Sequence, residues 1–164
     1  MLEFLKKTPK TKEPLQLVKY PDPRLQVVSK PVEKFDAELE EFVMDLLAFM
    51  NSMPWGKAVG FAAPQAGRNI RVFIALGDVY INPEIIWMPQ GGQKPCREGC
   101  FSLEEKRFDY EVSRSYAVKL RWQDLIGDFH EEKFTGFKAQ VIQHEFDHLE
   151  GRLCCGDQKP KHNE

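Results

Sequence analysis

Apolar and polar positions along the chain follow two rhythms. From Asp36 onward, Leu39, Phe42, Val43, Leu46 and Met50 recur three and four residues apart, the spacing that lines one face of a helix. Asp36 is a good N-cap, and Glu38, Glu40 and Glu41 lie where the positive end of a helix favours acids. The pattern predicts a helix from Asp36 to about Met50, stopped by Asn51-Ser52-Met53-Pro54. A second helix is predicted from near Thr135 to Gly151, a residue suited to the position just past a helix end. In it Ile142, Phe146 and Leu149 form one apolar stripe, with Val141, His144 and His148 on the neighbouring strip. Between the helices the runs are shorter. Arg71–Leu76, Asp78–Ile81 and Ile85–Trp87 read as strands, the last two parted by a turn at Asn82-Pro83. Tyr116–Gln123 and Phe129–Phe134 read as a hairpin closing around Gly127.

The remaining stretches are irregular. Pro21, Pro23 and Pro31 make residues 15–34 extended chain and turns. Residues 55–69 are rich in Gly and Ala, and REGCFS at 97–102 is turn-like. Helix, short strands, then helix is the α+β class. The expected architecture is short antiparallel or mixed strands packed around a central C-terminal helix, with one amphipathic helix near the N-terminus. Residues 1–14 read as a flexible N-terminal arm, 15–156 as a single domain and 157–164 as a polar C-terminal tail.

Composition narrows the function classes. At 164 residues the chain holds one domain. Its 23 basic and 25 acidic residues leave a net charge of −2, without the basic excess of a nucleic-acid binder. The longest uncharged stretch, Leu46 to Gly56, falls short of the roughly 20 residues that span a bilayer. No signal peptide is visible, and the expected location is cytoplasmic. Four Cys (96, 100, 154 and 155) contain no CxxC pair and read as reduced thiols.

The chemistry concentrates in His144-Glu145-Phe146-Asp147-His148, an HExxH motif. On a helix the two imidazoles share one face a turn apart and can meet at one metal ion, with Glu145 beside them. An ordinary amphipathic helix with two exposed histidines is the plain alternative, but a solvent-facing strip would not carry Phe137 and Val141. The third ligand has two candidates. HEFDHLEGRLC fits the longer metzincin spacing with Cys154 in the last position, though no Met follows to build that family's Met-turn. Upstream, Cys100 in EGCFS would leave an open fourth position, the layout of a catalytic site.

Three segments together resemble the peptide deformylase family: AVGFAAPQ at 58–65, EGCFS at 98–102 and QHEFDHL at 143–149. VKYPDPRLQ near the N-terminus and INPEI at 81–85 are also similar. The resemblance implies a metal-dependent hydrolase that removes the N-formyl group from the N-terminal methionine of newly synthesised proteins. It implies that Cys100, His144 and His148 hold one divalent ion, Fe²⁺ foremost, with Zn²⁺, Ni²⁺ or Co²⁺ substituting. The resemblance further implies that a metal-bound water would attack the formyl carbon, and that Glu145 would take its proton and pass it to the leaving amine. By the same resemblance the Gln65 amide and the Phe101 backbone N–H would stabilise the oxyanion. Gly60 would let the substrate backbone come close, Glu98 and Arg107 would support the thiolate, and Val141 would line the pocket for the methionine side chain. The partner implied is a formyl-methionyl peptide or nascent chain, with no nucleic acid and no membrane.

Some positions depart from the family pattern. Ala58 replaces a glycine and would cost about 1 kcal/mol if its φ is positive. Gln140 is expected to leave the pocket entrance uncharged, and Leu103-Glu104-Glu105 to form an acidic patch. Ribosome association is left open, since the chain ends soon after Gly151 and no C-terminal docking helix is evident. Cys154 and Cys155 are expected to be buried thiols. Two other functions stay open: a catalytically inactive metal-binding module that holds peptide N-termini, and a metzincin-like protease using Cys154.

Overall fold

The computed structural model describes residues 14–54, 58–103 and 110–155. Arg107, Glu104 and Glu105, the tail, and the arm apart from Pro14 lie outside the described residues. Helix α1 spans Ala37–Asn51, and the Asp36 carboxylate accepts from the backbone N–H groups of Glu38 and Leu39. The five periodic residues of the sequence pattern are its buried face. Helix α2 spans Gly136–Leu149 and starts at Thr135 without a side-chain cap. Its far end is closed by the Arg152 N–H donating to the Asp147 carbonyl and the Gly151 N–H to the His148 carbonyl. This pairing needs a left-handed residue, and Gly151 supplies it at φ +66°. A Cβ there would also stand 2.7 Å from the Gln26 backbone, so no other residue fits.

The strands are β1 (Gly60–Ala62), β2 (Val72–Ala75), β3 (Asp78–Trp87), β4 (Gln93–Glu98), β5 (Tyr110–Ser115), β6 (Ala117–Gln123) and β7 (Phe129–Thr135). Five form one antiparallel sheet in the order β1-β2-β3-β6-β7, while β4 and β5 pair separately. The hairpin β6–β7 falls where the sequence pattern places it. The turn at Asn82-Pro83 does not form: β3 runs through it with an irregular register against β6. Asn82 takes φ +48°, and its side chain exchanges hydrogen bonds with the Val32 backbone and donates to Gln123. That side chain ties the irregular stretch of β3 to the Val32 backbone and to β6, beside a proline that lacks an N–H for the ladder.

Strand β2 shows where the core lies. All four of its residues are buried. Val72 and Ile74 pack with α1, and Phe73 and Ala75 pack with α2. The sheet is therefore covered on both faces, and α2 lies against β1 and β2, with Glu145 beside Gly60 at the start of the edge strand β1. A third apolar cluster joins Val18, Leu25, Cys100, Leu103, Leu153 and Cys154. It holds the loop after β4 against the segment that follows α2. No helix of the described residues is long and apolar enough to cross a membrane.

Candidate metal centre and catalytic cleft

Three chain segments bring the chemistry together. Helix α2 supplies His144, Glu145 and His148, the loop after β4 supplies Cys100, and a short 3-10 turn at Ala63–Ala66 supplies Gln65. One ligand atom each from Cys100, His144 and His148 lie within 4.8 Å of one another. The Cys100 Sγ stands 3.4 Å from His148 Nε2. Cys154 groups instead with Glu98 and His144 and leaves His148 out, so the downstream ligand spacing is not the one the fold assembles. Cys154 is buried, Cys155 half-buried, and none of the four cysteines forms a disulfide.

A thiolate and two imidazoles on a cleft floor suit a borderline-soft divalent ion with an open position. The other side of each imidazole differs. His144 Nδ1 lies 2.8 Å from Glu98 Oε2. Glu98 is in turn gripped by Arg114, whose Nε and Nη2 donate to its two oxygens at 2.8 Å each. Arg114 Nη1 reaches on to Asp147. Burial alone would raise the Glu98 carboxyl, but bonds from Arg114 and His144 hold it down at about 2. An ionised Glu98 accepts a hydrogen bond from the His144 Nδ1–H, which turns Nε2 toward Cys100 and His148 as the atom an ion would claim. Burial lowers this imidazole, but without an ion its hydrogen bonds to Cys100 and Glu98 outweigh burial and push it upward. His148 is 1% exposed, its Nδ1 has no partner, and burial pushes its imidazole well below the usual range, toward the neutral form.

Arg107, named from the sequence beside Glu98, lies outside the described residues, and the guanidinium seen on Glu98 belongs to Arg114. Neither Arg114 nor Asp147 was singled out from the sequence. Asp147 carried a weak signal, an acid inside HExxH, whereas Arg114 carried none, because its two partners lie on β4 and α2.

Glu145 is 3% exposed and its Oε2 has no hydrogen-bond partner. Burial pushes its carboxyl up to about 7. Gly60 makes room for it: a Cβ at that position would stand 2.8 Å from Glu145 Cδ. The glycine thus serves the acid first, as well as lining the cleft. Gln65 both caps its own turn and faces the site. Its Oε1 accepts from the Ala62 N–H at 2.9 Å, and its Nε2 donates toward Ser102 Oγ at 3.2 Å and Cys100 Sγ at 3.5 Å.

The cleft has a volume of about 150 Å³. Val59, Phe101, Phe137 and Val141 make its apolar walls, and Gln65, Cys100, His144 and Glu145 its reactive side. Gln140 lines it too and donates to the Arg97 carbonyl at 3.4 Å. The entrance is not uncharged, because Arg97 is exposed on its rim at the outward register of β4. Ala58 carries no backbone strain: among the described residues only Leu76 and Asn82 combine a side chain with a positive φ.

Comparison with known proteins gives the family and the fold. Residues 14–164 match the family model described as polypeptide deformylase. A peptide deformylase of Novosphingobium aromaticivorans is 37% identical, over 84% of this chain and 85% of the relative. The crystal structure of the peptide deformylase of Thermotoga maritima superposes with a TM-score of 0.81 at 35% identity, covering 91% of this chain and all of that one. A peptide deformylase of Synechococcus elongatus, solved in complex with actinonin, superposes at 0.80 with 31% identity, covering 91% of this chain and 81% of that one.

Proposed function

The chain belongs to the polypeptide deformylase family, and from that premise we propose that Cys100, His144 and His148 hold its metal and that Glu145, Gln65 and the Phe101 N–H carry its chemistry. The protein is a metal-dependent hydrolase that removes the N-formyl group from the N-terminal methionine of newly synthesised proteins. The observation that supports the residue assignment best is the buried, unpartnered Glu145 oxygen in the same cleft as three converging soft donors.

When bound, a divalent ion supplies a Lewis acid that lowers the pKa of a water toward neutrality. Glu145 takes the proton of the attacking water and then delivers it to the leaving amine. Gly60 gives that carboxylate the space to stand at the cleft floor. As the formyl oxygen gains charge, the Gln65 amide and the Phe101 N–H face it, and one such donor is worth about 10²–10³ in turnover. Glu98, fixed by Arg114, sets the tautomer of His144. Val141 and Phe137 take the apolar methionine side chain, and Gln140 and Arg97 border its entrance. Fe²⁺ is the proposed ion on the family resemblance, since the donor set alone accepts Zn²⁺, Ni²⁺ or Co²⁺. The proposed setting is the cytoplasm and the proposed substrate a nascent chain, with ribosome association left to experiment. An inactive peptide-holding module would need neither Glu145 nor Gln65 in the cleft.

The test is formate release from formyl-Met-Ala-Ser by Fe²⁺-loaded protein kept anaerobic, with bound metal counted on the same samples. Cys100→Ala is expected to lose both metal and turnover, and Cys154→Ala to keep both. The opposite pattern overturns the ligand assignment, and a metal-loaded protein without formate release favours the binding module.

A further inference from the structure

We infer that Ser102 is a positioning residue for Gln65, so that Cys100, Phe101 and Ser102 couple the metal-ligand loop to the oxyanion donor. The inference rests on the reading of Gln65 as that donor. A carboxamide can rotate and can flip end for end. In this cleft its oxygen end is settled by the Ala62 N–H, which donates to Oε1 at 2.9 Å. The nitrogen end carries two hydrogens. Ser102 Oγ takes one at 3.2 Å, and Cys100 Sγ faces the other at 3.5 Å. Gln65 is 2% exposed and Ser102 fully buried, so water does not compete for these bonds. The Gln65 backbone carbonyl is also anchored, accepting from the Val18 N–H at 2.7 Å.

The two acceptors differ in what happens to them. Sulfur is a weak acceptor, and its lone pairs are the ones an ion would claim. The hydrogen facing Cys100 is therefore the one released toward a developing oxyanion. The hydrogen on Ser102 stays engaged and holds the amide plane while the other works. Residues 100 and 102 both point toward Gln65, and the Phe101 N–H, the second donor, lies between them in the chain. One tripeptide thus fixes the thiolate, one donor directly and the other through a hydroxyl. A serine that merely packed the loop would show itself in metal retention and folding. A serine that aims Gln65 shows itself in turnover that depends on Gln65, with KM and bound metal unchanged, whatever the loss of one buried hydrogen bond does to the melting temperature.

The experiment is a double-mutant cycle on the Fe²⁺-loaded enzyme. Ser102→Ala and Gln65→Met are made singly and together, reading kcat, KM, bound metal and melting temperature. Ser102→Ala is expected to lower kcat about fivefold to tenfold, the worth of one neutral hydrogen bond, with KM within about twofold and bound metal unchanged. In the Gln65→Met background the same change is expected to cost nothing further, because the group it aims is gone. Equal losses in both backgrounds overturn the inference, as does a Ser102→Ala protein whose defect is lost metal or a raised KM. If Gln65→Met costs about 10²–10³ in turnover while Ser102→Ala costs nothing, Ser102 alone is refuted. If Gln65→Met leaves kcat unchanged, the oxyanion reading itself has failed and takes the Ser102 inference with it.

Discussion

Helices α1 and α2 lie on opposite faces of one sheet and are built by different rules. Helix α1 obeys every local preference: an Asp36 cap with two backbone bonds, acids in its first turn, and a buried face of Leu39, Phe42, Val43, Leu46 and Met50. Helix α2 breaks several. It begins without a side-chain cap, and it buries Gln143, Glu145 and His148 among its apolar residues. Gln143 is satisfied by the Ser115 backbone and the Ala139 carbonyl, whereas Glu145 Oε2 and His148 Nδ1 have no partner. The difference shows where the molecule gives up stability for chemistry. Polar groups are buried in the helix that lines the cleft and nowhere in the one that lines the opposite face.

Breaking that contrast should have its largest effect at Glu145. Glu145→Met removes the proton carrier, and formate release is expected to fall by about 10²–10⁴. The same change replaces a buried, unsatisfied carboxyl by an apolar chain of similar volume and is expected to stabilise the fold by about 1–3 kcal/mol. Calorimetry of the metal-free protein reads this as a rise in melting temperature of about 2–4 °C per kcal/mol. A lower melting temperature would mean that Glu145 has a structural partner after all. An intermediate effect is expected from Glu98→Gln, which leaves Arg114 with Asp147 as its remaining carboxylate and weakens the hold on His144. Metal affinity measured by chelator competition should fall about 10–100-fold, and unchanged affinity would detach the Glu98–Arg114 pair from the site. The smallest effect belongs to α1. Asp36→Ala should cost about 1 kcal/mol of stability in denaturant titration and leave kcat and bound metal alone. A loss of turnover there would show that the two faces of the sheet are coupled.

The same contrast explains what was legible in the sequence. Helix α1 and the β6–β7 hairpin follow from local periodicity and turn chemistry, and both form within a residue or so of their predicted bounds. The histidine pair of α2 was legible because four residues on a helix are neighbours whatever surrounds them. β4 left no signal, since Gln93–Glu98 is mostly exposed and contains Pro95. β3 was cut in two by Asn82-Pro83 because its continuity depends on side-chain bonds to Val32 and Gln123, far along the chain. Arg114 was missed for a like reason, as its meaning lies in the two carboxylates that folding brings to it.

The contact between Gly60 and Glu145 also constrains how this sequence can change over generations. A methyl group at residue 60 would overlap the Glu145 side chain as it stands, so a larger residue there displaces the acid. Alanine at 60 fits only if the side chain at 145 turns away or shortens, and either change withdraws the carboxylate from the cleft floor. A relative that carries a larger residue at the equivalent of Gly60 should therefore hold its acid in a different rotamer or lack it.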